Sequence, residues 1–172
     1  MVSLHLSGTE RTVRDDEIIV SKTDTKGRIT YCNDTFMSLS GYKESELIGQ
    51  PHSIIRHPAM PRCAFKLVWD TIESGKEVFA YVINRSKNGD HYWVFAHVTP
   101  DLDDSGKIVG YHSFRRSVSR QAVAAVEPLY ATLLAEEARH SDSKVGMNAA
   151  FQMLVSLLDD KGVSYDQFIL GL

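Results

Sequence analysis

Arg56 and His57 stand side by side in SIIRHPAMPR, at the end of a short apolar segment and ahead of Pro58 and Pro61. Proline fixes φ and carries no N–H, so neither a helix nor a strand continues through this stretch. The two prolines instead hold an extended bend that presents both side chains from one place. A guanidinium suits bidentate contact with a phosphate or a carbonyl edge. An imidazole beside it donates or accepts, and its charge can respond to a neighbouring group that gains an electron. Taken alone, the pair is better explained by Arg56 meeting a nearby carboxylate and His57 capping a helix end.

Other reactive residue types are scattered. His91 and His97 lie in HYWVFAHVT and His112 in IVGYHSFRR. Strand alternation puts His91, Trp93, Phe95 and His97 on one face and Tyr92, Val94 and Ala96 on the other, without saying which face points inward. Cys32 and Cys63 have no CxxC spacing, which argues against a disulfide framework or a zinc site and for a reducing compartment. There is no nucleophile–base pair with supporting spacing and no phosphate-binding glycine loop, so an enzyme is not expected. The net charge of −3 gives no support to a nucleic-acid surface. The first residues carry charge too early for a signal peptide, and no apolar run approaches the ~20 residues that cross a bilayer. The expectation is a cytoplasmic protein with no membrane insertion. Its 43% hydrophobic residues in 172 are enough for a real core.

The elements that must position these groups follow from pattern. EIIVSKTDTKGRITYCND reads as two short strands around Gly27. A helix follows in NDTFMSLSGY, with Asn33 as N-cap and Gly41 as its stop. Residues 43–51 add a helical turn, and 62–76 form a longer helix with Phe65, Val68, Trp69 and Ile72 on its apolar stripe. VFAYVIN and HYWVFAHVT are strands joined through Asn88-Gly89, a strong hairpin signal, and IVGYHSFRR is the next strand. From about Ser119 the pattern is helical. Pro128 is expected to kink or divide the first helix, a second helix follows in MNAAFQMLVSLLDDKG, and VSYDQFILGL is an apolar tail. The fold class is α+β.

TDTKGRITYCNDTFMSLSGYKESELIGQPHSIIRHPAMP followed by KNGDHYWVFAHVTP resembles a PAS sensory domain, and more narrowly the PAS domain of bacterial aerotaxis (energy-taxis) receptors. The resemblance spans roughly residues 17–118. It implies a five-stranded antiparallel sheet with short helices on one face, enclosing a pocket for a cofactor, here with a C-terminal helical extension. It implies a non-catalytic sensor holding FAD non-covalently, with the flavin contacts centred on Arg56 and His57. Asn33 and Asn84 match family positions near the pocket, and His97 sits where other PAS domains direct a polar side chain at the cofactor. Two positions depart from the family pattern: Ala59 replaces an Asp and Val78 replaces a Trp. Haem b is the rival cofactor, with His57 or His52 as axial ligand. The cysteine-bearing helix motif of the light-sensing relatives is absent, so Cys32 and Cys63 are read as packing residues, as are Phe65, Trp69 and Trp93.

The expected organisation is therefore an N-terminal extension (1–16), a PAS domain (17–118) and a C-terminal helical extension (119–172). A single amphipathic helix cannot bury its stripe alone, so the extension is expected to pack on the domain and support a homodimer, or to dock a signalling partner. A cofactor-free interaction module with a plugged pocket is the alternative from another class.

Overall fold

A computed structural model describes residues 5–172. Two short strands, β1 (Ile19–Thr23) and β2 (Ile29–Cys32), are joined through a turn at Gly27, whose φ of 73° only glycine adopts without strain. Helix α1 (Asp34–Ser40) begins where the Asn33 side chain accepts the Phe36 amide and ends at left-handed Gly41. A one-turn helix α2 (Glu44–Leu47) and a 3-10 turn (His52–Ile55) lead into α3 (Arg62–Glu73). The sheet is completed by β3 (Val78–Arg85), β4 (His91–Leu102) and β5 (Ile108–Arg116). The β3–β4 hairpin closes through Asn88-Gly89 as expected, with Ser86 N donating to Asp90 O at 2.8 Å.

The five strands lie in the order β2-β1-β5-β4-β3, every neighbouring pair antiparallel. Residues paired across strands share a face. Ser21, Ser113, Val98 and Val78 therefore point to one side of the sheet, towards α1–α3. Phe79, Tyr81, Trp93, Phe95 and His97 point to the other. The alternation in β4 that left the inward face undetermined is explained here, because both faces are covered. Tyr92 and Val94 pack with Phe36, Leu47 and Ile55, while Trp93 and Phe95 pack under the C-terminal helices.

Those helices are α4 (Arg120–Ala138), α5 (Ser143–Lys161) and α6 (Tyr165–Leu170). Helix α4 lays Val123, Val126, Tyr130 and Leu133 on the outer face of the sheet, and the Tyr130 hydroxyl donates to Tyr81 O at 2.6 Å. Pro128 does not divide α4: the helix runs unbroken through it. Pro128 is exposed, so the carbonyl it leaves unpaired faces water while the buried side chains hold the helix in place. Helix α5 starts at Ser143, earlier than its apolar pattern suggests, because the Asp142 side chain accepts from Lys144 N and Val145 N. It packs against α4 and α3, and the expected tail is helix α6, capped reciprocally by Ser164 and Gln167 and lying along β3. Among the described residues no helix is long and apolar enough to cross a membrane.

Candidate functional site

Between the inner face of the sheet and α3 lies a cavity of about 480 Å³, within the range of small-molecule sites. Its floor is made small by sequence: Ala80 and Ala96 sit opposite each other on β3 and β4, flanked by Val82 and Val98. Phe65 and Trp69 of α3 line the opposite wall. Their helical stripe thus faces the cavity, where the sequence reading had placed them in the packed core. Gly27 is needed under that wall, because a Cβ there would stand 2.9 Å from the Trp69 ring. An alanine floor under an aromatic wall makes a slot for a planar ring.

One end of the slot is polar. Arg115, 4% exposed, donates through Nε to Ser113 Oγ at 3.1 Å and through Nη2 to Ser21 Oγ and to His52 Nε2, the latter at 2.7 Å. Arg115 has no acceptor atoms, so His52 Nε2 is the acceptor and its imidazole is neutral. Burial, with the Arg115 charge next to it, pushes the His52 pKa down to about 3. Burial likewise lowers Arg115 to about 10, which leaves it a cation at neutral pH. Asn84, also 4% exposed, completes this end.

Arg56 and His57 part company. Arg56 leaves the 3-10 turn in extended backbone, and His57 then opens a tight turn in which its carbonyl accepts the Met60 amide at 3.0 Å. Arg56 lines the cavity, with its guanidinium 4.4 Å over the Phe65 ring and its backbone bridged to that of Asn84. Burial lowers its pKa, opposed by Glu137 of α4. His57 lies outside the cavity wall. Its ring stands 5.5 Å from that of His91, and its Nδ1 accepts the Ala59 amide at 3.1 Å. Its pKa is lowered by burial and then by His91 and Arg85.

Two more expected contacts fall elsewhere. Asn33 spends its side chain on the fold: Oδ1 accepts from Val20 N at 3.0 Å and Phe36 N at 3.1 Å, and Nδ2 donates to Ile18 O at 2.8 Å. It fastens α1 to β1 and does not line the cavity. His97 is on the outer face of the sheet, stacked 4.3 Å over Phe79 and bonded to Glu77 at 2.6 Å. The structure therefore brings together Arg56 and Asn84 of the five residues expected at the cofactor, and adds Arg115, Ser21, Ser113 and His52. Arg115 went unread because SFRRS gives no clue that its first arginine alone faces inward. The alternation from Tyr111 through Ser113 was the one available signal.

Four buried side-chain donors lack a partner among the described residues, and two of them, Asn84 Nδ2 and Arg115 Nη1, belong to residues that line this cavity. A buried donor without an acceptor costs roughly 1–3 kcal/mol, so both fit a ligand that brings carbonyl oxygens or ring nitrogens to the polar end. A flavin ring does so with its pyrimidine edge. Haem fits less well: His57 is outside the cavity, and His52 Nε2 is committed to Arg115 and Ser21. Neither cysteine lines the cavity; both are buried and free, and burial raises the Cys63 thiol to about 12.

A five-stranded antiparallel sheet in this order, with helices over a polar-ended slot, is the frame of a sensory domain. The chain belongs to the PAS family, since the family model described as the PAS fold matches residues 29–115. Over 119 residues it is 49% identical to the aerotaxis receptor of Escherichia coli (strain K12), a match covering 69% of this chain and 23% of that protein. It is 27% identical over 107 residues to the nitrogen fixation regulatory protein of Klebsiella pneumoniae, covering 62% of this chain and 22% of that protein. The chain thus spans about a quarter of the length of these curated relatives. Among solved structures, the light state of the blue-light photoreceptor Aureochrome1 LOV aligns with a TM-score of 0.56 at 23% identity, covering 71% of this chain and 91% of that one. A structure described as a flavin analogue in a light-oxygen-voltage domain aligns at 0.57 and 22%, covering 67% and 86%. These last two establish the fold alone.

Proposed function

We propose that this chain is a cytoplasmic, non-catalytic redox sensor that holds a flavin, in the form of FAD, and relays its state through the C-terminal helices to a partner. The reading is carried by the two unpaired donors, Asn84 Nδ2 and Arg115 Nη1, at the polar end of a slot shaped for a planar ring. The identity with the aerotaxis receptor and the flavin named for a structural neighbour support it. A bound flavin supplies reversible electron uptake, which increases the negative charge on its ring.

This chain's residues answer that charge. Arg115 is a cation with no carboxylate partner among the described residues, and His52 cannot relieve it by giving up a proton, being neutral already. Added negative charge near Arg115 strengthens its pull on the ligand at the expense of its bonds to His52, Ser21 and Ser113. Asn84 carries any movement along β3, where Tyr81 O accepts the Tyr130 hydroxyl of α4. A homodimer is part of the proposal, supported by Ile18, just before β1, and Phe114 of the neighbouring β5, which are 55% and 45% exposed.

The test is an absorption spectrum of the purified protein, followed by chromatography of the cofactor released on denaturation. Flavin bands and released FAD are expected. A protein that stays colourless after reconstitution with FAD would overturn the reading and leave the interaction module, while a porphyrin spectrum would install haem.

A further inference from the structure

His57 lies outside the cavity, yet it holds the turn whose two ends line it. The Ala59 amide donates to His57 Nδ1 at 3.1 Å, a bond that runs two residues along the chain. An Asn or Asp side chain closes an Asx turn in the same way. His57 O completes the turn by accepting the Met60 amide at 3.0 Å. Met60 is 1% exposed and lines the cavity, and its carbonyl accepts from Arg56 Nη2 at 3.4 Å. One imidazole nitrogen therefore sets the turn between two residues of the cavity wall.

An Asn there would accept at any pH, whereas histidine accepts through Nδ1 only while that nitrogen carries no proton. Protonation makes it a second donor facing the Ala59 N–H. The surroundings do not welcome the new charge. β4 presents the His91 ring at 5.5 Å, and β3 presents Arg85, whose Nη2 donates to Ile54 O at 3.3 Å and whose buried Nε has no acceptor among the described residues. Carboxylates on the segments beside His91 are already engaged. Asp90 accepts from Ser7 at 2.6 Å and from Asn88 at 2.9 Å, and Glu10, paired with His91 through its backbone, holds Arg120 at 2.8 Å. Glu137 of α4 faces Arg56 and accepts the Cys63 amide. Among the described residues the histidine ion pairs are those of His97 and His140. Burial, then His91 and Arg85, keep His57 neutral to a lower pH than an ordinary imidazole.

We propose that His57 is an acid-sensitive latch on the cavity: a proton taken up at Nδ1 breaks the bond to Ala59, opens the 57–60 turn and withdraws Arg56 and Met60 from the wall, so that the ligand is held less tightly in acid. The inference rests on the flavin reading for its ligand and adds pH as a second input. Linkage makes the effect reciprocal, and a single proton limits it to about tenfold in affinity per pH unit. Two measurements test it. Nuclear magnetic resonance of the flavin-free protein follows the His57 ring together with the Ala59 and Met60 amides, and all three are expected to shift with one midpoint. Fluorescence titration with FAD between about pH 8 and about pH 5 compares the wild type with H57N, whose acceptor never titrates. The wild type should bind about three- to tenfold more weakly at the acid end, and H57N equally well throughout. His52, neutral down to about pH 3, is silent in this window. Affinity that is flat in the wild type, or that falls equally in both proteins, would overturn the latch and leave the flavin reading standing. FAD that binds at no pH would overturn the flavin reading, and an Ala59 amide indifferent to the His57 titration would then overturn the latch as well.

Discussion

Replacing Arg115 by methionine separates what this side chain does for the fold from what it does for the ligand. A cation that is 4% exposed and has no carboxylate beside it is costly. Its pKa falls from the ordinary guanidinium range to about 10. At about 1.4 kcal/mol per tenfold change in proton affinity, that is on the order of 3 kcal/mol against the folded state. Three hydrogen bonds, to Ser113, Ser21 and His52, return about 1 kcal/mol each. The two contributions nearly cancel. Methionine has a similar unbranched stem, and the Ser21 hydroxyl already lies 3.2 Å from His52 Nε2, ready to bond it when the guanidinium is gone. Arg115→Met in the flavin-free protein is therefore expected to change the unfolding free energy by no more than about 1 kcal/mol, or about 2–4 °C in a chain of this size.

Ligand affinity has no such compensation. The unpaired Nη1 donor is lost, and a hydrogen bond from a charged donor is worth about 1.5–3 kcal/mol, so flavin should bind about ten- to a hundredfold more weakly. Arg115→Lys keeps the charge without the fork and should fall between the two. Urea denaturation of the flavin-free protein and a fluorescence titration give the two numbers. A stability loss above about 3 kcal/mol with unchanged flavin affinity would show that the guanidinium is a structural keystone, and the reasoning would fail at its first step.

Three further expectations come from the same region. His52 is neutral in the fold down to about pH 3 and ordinarily titrates near 6.5, so below 6.5 the unfolded chain takes up a proton that the folded chain refuses. Folding stability should drop as pH falls from 6.5 towards 3, by about 1–2 kcal/mol at pH 5, and His52→Gln should show a correspondingly smaller drop between pH 7 and 5 in urea melts. Gly27→Ala combines a left-handed φ of 73° with a Cβ 2.9 Å from the Trp69 ring, so a loss of at least about 1 kcal/mol is expected. It should come with altered tryptophan fluorescence and weaker flavin binding, and an unshifted spectrum would mean the ring does not move. Glu137→Ala removes the acceptor that α4 offers to the first turn of α3, at 2.8 Å from Cys63 N. It should lower the thermal midpoint by about 2–4 °C, the cost of about 1 kcal/mol for a lost cap.

How far the sequence could be read depended on whether the deciding interaction was local. Asn33 was legible as an N-cap because the amide it accepts is three residues away. Its assignment to the pocket was not, because the groups that use up the rest of its side chain, Val20 N of β1 and Ile18 O just before it, lie more than ten residues away. Asn88-Gly89 announced its hairpin for the same local reason. The cation pair shows the limit within a single motif. Arg56 lies in extended backbone, but the chain turns at once through Pro58, with the Met60 amide donating to His57 O, so of the pair that the motif singles out together only Arg56 reaches the cavity. For the strands, alternation sorted His91, Trp93, Phe95 and His97 onto one face but could not orient it, because β4 is apolar on both sides. That ambiguity was created more than twenty residues downstream, by α4 burying the outer face under Val126, Tyr130 and Leu133. Arg115 needed the same knowledge: an arginine two residues after a serine becomes a ligand-facing group only once the sheet has chosen its inner side. The composition of the cavity wall, cationic in an acidic chain, is a property of residues from six different elements and the turns between them, and no window of sequence contains it.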